Sequence, residues 1–221
     1  VYLRSLVVAL LTTVSTLLIG YPFAYGLARL NGKWKGAGIF LLMAPFWTNS
    51  LLRLYGWNNI FRADGWINRL LMTLGVVDEP VKLLYTFGAV LVGMVYALLP
   101  MMILSIYNST EKLDWAQIEA ARDLGASRFR AFWSVTLPQT LPGIVAGCGL
   151  VFVPSMGLFF ISDLFGGSKT VLIGNLIQYQ AQSARNLPFA AALSILMLLF
   201  AALIIFLYTR SSKDNDLGNL I

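Results

Sequence analysis

Glu119-Ala120-Ala121-Arg122-Asp123-Leu124-Gly125-Ala126-Ser127, followed by Val135-Thr136-Leu137-Pro138, decides how this chain is read. It is the most charge-rich segment between long apolar runs. Asp114 is suited to be a helix N-cap, and Gln117 three residues on resembles a capping box. The Ala-rich stretch after Asp114 predicts a helix from about residue 115 to 124. Gly125 takes the position after its end, where a left-handed turn costs glycine little. Ser127 caps a second short helix carrying Phe129, Phe132 and Trp133 on one face. Leu137-Pro138 then opens the next apolar run.

The composition explains why a polar helical loop stands out. The chain has 221 residues, of which 58% are hydrophobic and 12% charged, with a mean hydropathy of +0.74. Soluble domains carry about 25% charged residues. Too little polar surface remains here to cover a large soluble core. The predicted fold class is therefore all-α, a polytopic bundle of membrane-spanning helices. The net charge is +6, but Lys and Arg fall singly between apolar runs. That pattern suits loops beside lipid headgroups and not nucleic acid. There is no His, and Cys148 stands alone in an apolar run. Neither a disulfide within the chain nor a Cys/His metal site is possible, and Cys148 reads as a small buried hydrophobe.

Five spans are predicted, at about 6–30, 37–55, 85–107, 141–161 and 188–208. Pro22, Pro100, Pro142 and Pro154 lie inside them as expected kinks. Pro45, Trp47, Thr48, Asn49 and Ser50 interrupt the second, where polar groups face either neighbouring helices or a water-filled cavity. Gly143-x-x-x-Gly147 in the fourth permits close helix approach. Between the second and third spans an amphipathic interfacial helix is expected, capped by Asp64, with Trp66, Ile67, Leu70, Leu71 and Leu74 on one face and Gly75 at its end. Gly167-Ser168-Lys169-Thr170 lacks the Gly-Lys pair and the spacing of a phosphate loop. No signal peptide is predicted at the Val1 end.

Five spans place the termini on opposite sides. One side holds Arg29, Lys33, Lys35, Lys112, Arg122, Arg128, Arg130, Arg210 and Lys213, nine in all; the other holds Arg4, Arg53, Arg62, Arg69, Lys82, Lys169 and Arg185, seven. The bias toward positive cytoplasmic loops puts 108–137 and the C-terminus in the cytoplasm. On periodicity alone, the polar helix reads first as a segment resting on headgroups, ahead of one seated in another protein's groove.

The spacing Glu119-Ala120-Ala121, Gly125, Val135, Leu137-Pro138 resembles the EAA motif of the permease subunits of bacterial ABC importers. Gly20-Tyr21-Pro22-Phe23-Ala24, Pro45 through Arg53, Leu113-Asp114, Pro142-Gly143-Ile144, Met156 through Phe159 and Ser162-Asp163-Leu164 extend the likeness to the spermidine/putrescine permeases. Permeases for opines and aminophosphonates share much of it. The resemblance implies a single permease domain over 1–221, with a cytoplasmic coupling loop at 109–137. It implies a multi-pass protein of the bacterial inner membrane. The implied partners are a second permease, two ATP-binding subunits and an external solute-binding protein, around the lipid bilayer and without nucleic acid. It implies no cofactor on this chain, ATP and Mg²⁺ belonging to the ATPase. The family usually has six spans, so the expectation is a chain lacking the first helix.

The residues expected to couple to the ATPase are Asp114, Glu119, Ala120, Ala121, Asp123 and Gly125. For a polycationic cargo, a path needs carboxylates and aromatic faces, which nominates Trp47, Asn49, Tyr55, Tyr96, Phe159 and Asp163. Interfacial aromatics form belts on any membrane protein and Asp163 is placed to cap a helix, and these plainer readings come first for all six. No nucleophile–base pair or phosphate loop is present, so no enzymatic activity is expected. A stand-alone channel or secondary transporter would need intramembrane charge or an inverted repeat, and neither is visible. A scaffold subunit without a path remains the other alternative.

Overall fold

The computed structural model describes residues 1–167 and 170–218, with side chains through 203. Among the described residues every regular element is a helix. Three of them form the centre: α1 (Tyr2–Ala28), α5 (Phe87–Thr110) and α8 (Leu137–Gly157), each packed on the other two. Helices in lipid gain little from apolar burial against one another, so close packing of small residues matters more. The buried stripe of α1 is accordingly Ser5, Ala9, Thr12, Thr16, Gly20, Ala24 and Leu27. Thr13 and Thr16 donate their hydroxyls to Ala9 O and Thr12 O one turn back, at 2.7 and 2.9 Å. The opposite side of α1 leaves Leu3, Leu10, Leu18 and Ile19 exposed, as lipid contact requires.

The Gly143-x-x-x-Gly147 pattern sits where α8 crosses α5. A Cβ on Gly143 would lie 2.7 Å from Ser105 O, and one on Gly147 would lie 2.7 Å from Met102 Sδ. Ser105 Oγ donates to Gly143 O at 2.9 Å across the contact. Pro22 and Pro100 lie within α1 and α5 without ending either helix.

Three expectations are corrected. The second predicted span is not one helix. α2 (Gly32–Met43) passes into a 3₁₀ turn at Ala44–Trp47, and α3 (Ser50–Phe61) begins after Asn49. The two arms of the pair meet at 91°. Pro45 removes a donor from the ladder, and the Asn49 side chain accepts from Leu51 N at 2.8 Å. That bond starts a new helix in place of continuing the old one.

Asp64 is not the cap of the following helix, α4 (Trp66–Thr73); Gly65 holds that position without a side-chain bond, and Asp64 instead pairs with Arg62 at 3.5 Å. Buried Asn68 does the anchoring. It donates to Arg62 O and Val81 O and accepts from Val81 N, at 2.9–3.1 Å.

The fourth span starts earlier and ends sooner than expected. α7 (Arg128–Ala131) runs through a π-helical turn, Phe132–Thr136, directly into α8, giving 30 helical residues from Arg128 to Gly157. Leu137 N bonds back to Phe132 O, one residue further than in an α-helix. This widening makes room for the Pro138 ring, which would otherwise meet the carbonyl one turn back. At Leu158 the helix breaks, and α9 (Phe159–Gly166) and α10 (Ile173–Gln182) follow.

α11 (Leu187–Gly218) is the fifth apolar segment, its described apolar stretch being Leu187–Leu203. Ser168 and Lys169, and the side chains of Arg210, Lys213, Asp214 and Asp216, lie outside the described residues.

Candidate functional site

α6 (Trp115–Asp123) stands at one end of the bundle, between the last turn of α5 and the start of α7. Its local chemistry is as expected except for the capping box. Asp114 caps it, Oδ1 accepting from Ala116 N at 3.1 Å. Gln117 closes onto the Asp114 carboxylate at 3.3 Å, and not onto its backbone N–H. Gly125 has φ +89°, a conformation that costs other residues about 1–2 kcal/mol. Its N–H and that of Ala126 satisfy Arg122 O and Ala121 O. Ser127 Oγ accepts from Arg130 N at 3.2 Å and starts α7.

The tertiary attachments of α6 were not visible in the sequence. Trp115 packs on Tyr25 of α1, with ring centroids 5.7 Å apart. The Arg29 guanidinium lies over both rings, at 5.4 and 5.5 Å. Gln139 of α8 donates to Gln117 Oε1 at 2.8 Å. Deeper, Tyr21 meets Phe132 edge-on at 5.6 Å and shares a 3.0 Å hydrogen bond with Thr140. α6 is thus attached at its first turn to two membrane-length helices.

Its far end is free. Glu119, Ala120, Asp123 and Gly125 are exposed and Ala121 is half-exposed. Glu119 and Asp123 have no ion pair among the described residues. They line an open groove with Arg122, Ala126, Ser127 and Arg128. Leu124, at the tip, is 90% exposed, and Phe129 of α7 is 73% exposed. Leu124 escaped the sequence reading because a lone Leu before a glycine carries no periodic signal.

One further link braces this end. Glu111, capping the C-terminus of α5, accepts from Tyr107 Oη at 2.7 Å and pairs with Lys35 Nζ at 3.3 Å. The Tyr107 hydroxyl, outweighing partial desolvation and aided by Lys35, holds the Glu111 carboxyl below its usual range.

The residues nominated for a substrate path are not gathered into one place. Trp47, Asn49 and Tyr55 lie exposed along the bent pair, and Asn49 serves as the α3 cap. Tyr96 packs on Trp57 at 5.4 Å and receives Arg53 over its ring at 5.9 Å. Arg53 also lies 4.1 Å from the centre of the Phe46 ring, and its Nε and Nη1 have no hydrogen-bond partner. Phe159 and Asp163 form a separate group through Asn175. The Asn175 amide donates to Asp163 Oδ1 at 2.6 Å and to Phe159 O at 3.1 Å, and Asn175 Oδ1 accepts from Leu172 N. Asp163 lines a cavity of about 350 Å³ with Asn175, Tyr179 and Gln182. Among the described residues no cluster of three or more His, Cys, Asp or Glu could hold a metal ion.

A helical membrane bundle that braces a short polar helix at one end and leaves its tip unpartnered has the form of a transporter's membrane subunit. The chain belongs to the family described as binding-protein-dependent transport system inner membrane component, which it matches over residues 2–214. It is therefore a multi-pass protein of the inner membrane. It is 49% identical to the spermidine/putrescine transport system permease protein PotB of Salmonella typhimurium, over 96% of this chain and 74% of that protein. It is 48% identical to PotB of Escherichia coli, over 96% and 78%. At 17% identity its fold also matches a bacterial ABC transporter that imports alginate, with TM-score 0.73 over 96% of this chain and 79% of that one.

Proposed function

We propose that this chain is a permease subunit of an ABC importer for polyamines of the spermidine/putrescine class. In this reading it forms half of the path with a second permease, and two ATP-binding subunits and an external solute-binding protein complete the machine. The loop at 109–137 and the C-terminus face the cytoplasm. The chain performs no catalysis, and nucleotide and Mg²⁺ bind the ATPase partner. The substrate class is supported by the near-half identity to the PotB permeases along almost the whole chain.

The coupling role rests on one observation. α6 is tied at its start to α1 through Trp115 and to α8 through Gln117, while its tip is unpaired. A partner gripping Leu124, Glu119 and Asp123 therefore moves two spans together when it moves. Asp114 and Gly125 fix the ends of α6, and small Ala120 and Ala121 let a groove wall approach it. Nucleotide state shifts the bundle only through contacts that differ between the two ATPase conformations, and this tip supplies them.

The test is ATP-dependent uptake of radiolabelled spermidine into vesicles holding the assembled importer. Glu119→Lys and Gly125→Asp are expected to leave insertion intact, retain ATP hydrolysis and abolish uptake. Normal transport in both variants refutes the coupling assignment. Uptake of a different solute with no response to spermidine refutes the substrate class alone.

A further inference from the structure

A second cavity lies behind α6, on the side turned toward the bundle. It measures about 480 Å³ and is lined by Tyr25 and Arg29 of α1, Ile118 and Arg122 of α6, and Arg128 and Phe132. That volume is within the ~300–1,000 Å³ of small-molecule sites. Three guanidinium-bearing side chains border it, and no carboxylate does. None of the three has an ion pair among the described residues. Arg29 is pinned over the rings of Tyr25 and Trp115, so its position is set before any ligand arrives.

The groove at the α6 tip borders the same two arginines, Arg122 and Arg128, but differs in its other residues. It carries Glu119 and Asp123 beside Arg122 and Arg128, a mixed surface fit for a protein. The inner cavity shares Arg122 and Arg128 with that groove, adds Arg29, and has no carboxylate in its own lining. Its walls come from the residue after the last turn of α1, from α6, and from the turn that leads into α8. Arginine presents a planar fork of donors that matches phosphate oxygens in pairs. Tyr25, Ile118 and Phe132 supply the apolar wall along which a glycerol backbone and the start of an acyl chain can run.

We propose that this cavity is a binding site for a phosphate-bearing anion, the headgroup of an acidic phospholipid of the cytoplasmic leaflet. The site rests on the cytoplasmic placement of the loop proposed above. Filling it ties α6 to α1 and α7 through one bound anion, stiffening the element that transmits motion. Basic pockets between spans on the cytoplasmic side are suited to such headgroups.

The experiment uses the chain purified with its co-expressed partners, reconstituted in phosphatidylcholine nanodiscs containing phosphatidylglycerol and read by native mass spectrometry. The unmodified protein is expected to retain phosphatidylglycerol over phosphatidylcholine. Arg29→Gln with Arg128→Gln is expected to lower that retention roughly fivefold per guanidinium removed, about 25-fold for both. Arg29→Lys with Arg128→Lys keeps the charge but loses the paired donors, and recovers only part of it. Inorganic phosphate added as competitor separates the sources. Retention that persists assigns the site to the headgroup; displacement assigns the same anion site to free phosphate and overturns the lipid.

Equal retention of the two lipids, or retention unchanged by the Gln variants, overturns the proposal. Loss of the ATPase subunits in those variants with lipid retention intact assigns the arginines to the protein partner instead. Glu119→Lys separates this proposal from the coupling reading: it abolishes uptake and leaves lipid retention unaltered.

Discussion

Gly143 and Gly149 lie less than two turns apart on α8, yet replacing each with Ala should have opposite effects. A Cβ on Gly143 meets Ser105 O at 2.7 Å and the Ser109 side chain closer still, and one on Gly149 meets nothing within 4 Å. Moving 2.7 Å out to ordinary contact requires α5 and α8 to separate by roughly 0.8–1.3 Å, with contact taken at ~3.5–4.0 Å. Overpacking of this kind costs about 1–3 kcal/mol. The separation also stretches the Ser105–Gly143 hydrogen bond of 2.9 Å, worth about 0.6 kcal/mol between membrane helices. Against this, Ala gains roughly 0.5–1 kcal/mol over Gly inside a helix. Gly143→Ala should therefore lose about 2 kcal/mol net. At 2–4 °C per kcal/mol for a chain of this size, that is a fall of about 4–8 °C in Tm. Gly149→Ala should raise Tm by about 1–4 °C. The assay is thermal unfolding of the detergent-purified chain by fluorescence-detected size exclusion. Equal shifts for the two variants would show that α5 and α8 do not touch at Gly143.

Leu124→Ser should leave the Tm of the isolated chain unaltered, because the side chain is 90% exposed. Its affinity for the ATPase subunit, read by titration in detergent, should fall about 10- to 100-fold if burying a leucine supplies ~1.5–3 kcal/mol; unchanged affinity removes the tip from the interface. Glu111→Gln should lower Tm at neutral pH. The Glu111 carboxyl is depressed in the fold, so its contribution is present above the ordinary carboxyl value of 4.5 and is lost as pH falls through the lower folded value. The Tm curves of the two proteins should converge below that point, and a constant gap at all pH values would refute the brace. Asp163→Asn keeps the side-chain shape beside Asn175 but removes the charge from the cavity. The KM for spermidine should rise several-fold with kcat and Tm little altered, and unchanged uptake would remove Asp163 from the path.

The parts of the loop that were legible in the sequence are those set by neighbours in the chain. Asp114, Gly125 and Ser127 act on donors and acceptors within five residues, so residue type and spacing sufficed. The glycine pair in α8 was legible because small residues four apart form one face of a helix. Other features depend on partners distant in sequence. Trp115 meets Tyr25 and Gln117 meets Gln139 only because α1 and α8 stand side by side, and no periodicity encodes that. Averaged hydropathy concealed the break at Asn49, since the residues on either side remain apolar through a 91° bend. Pro138 was read as a boundary, but a π-helical turn gives its ring the extra residue it needs and the helix continues.

Arg53 limits what the aromatics of α3 and α5 can do for cargo selection. Its guanidinium already occupies one face of Tyr96, 5.9 Å from the ring centre. A polyamine ammonium on the opposite face would sit ~10 Å from that charge and lose about 1.7 kcal/mol at an effective dielectric constant of ~20. That offsets most of the roughly 0.5–2 kcal/mol a cation gains on an aromatic face. Tyr96 is therefore a poor station for a polycation while Arg53 stays where it is. Of the six residues nominated for the path, only Asp163 is a carboxylate, and it sits apart from the Tyr96–Trp57 group. If the cargo is a polyamine, Tyr96 cannot supply much of its charge recognition. Asp163 is this chain's carboxylate for that task. Arg53→Gln should then lower the KM for spermidine in the assembled importer. A higher KM would mean that Arg53 is neutralised by a partner carboxylate and holds the two permeases together.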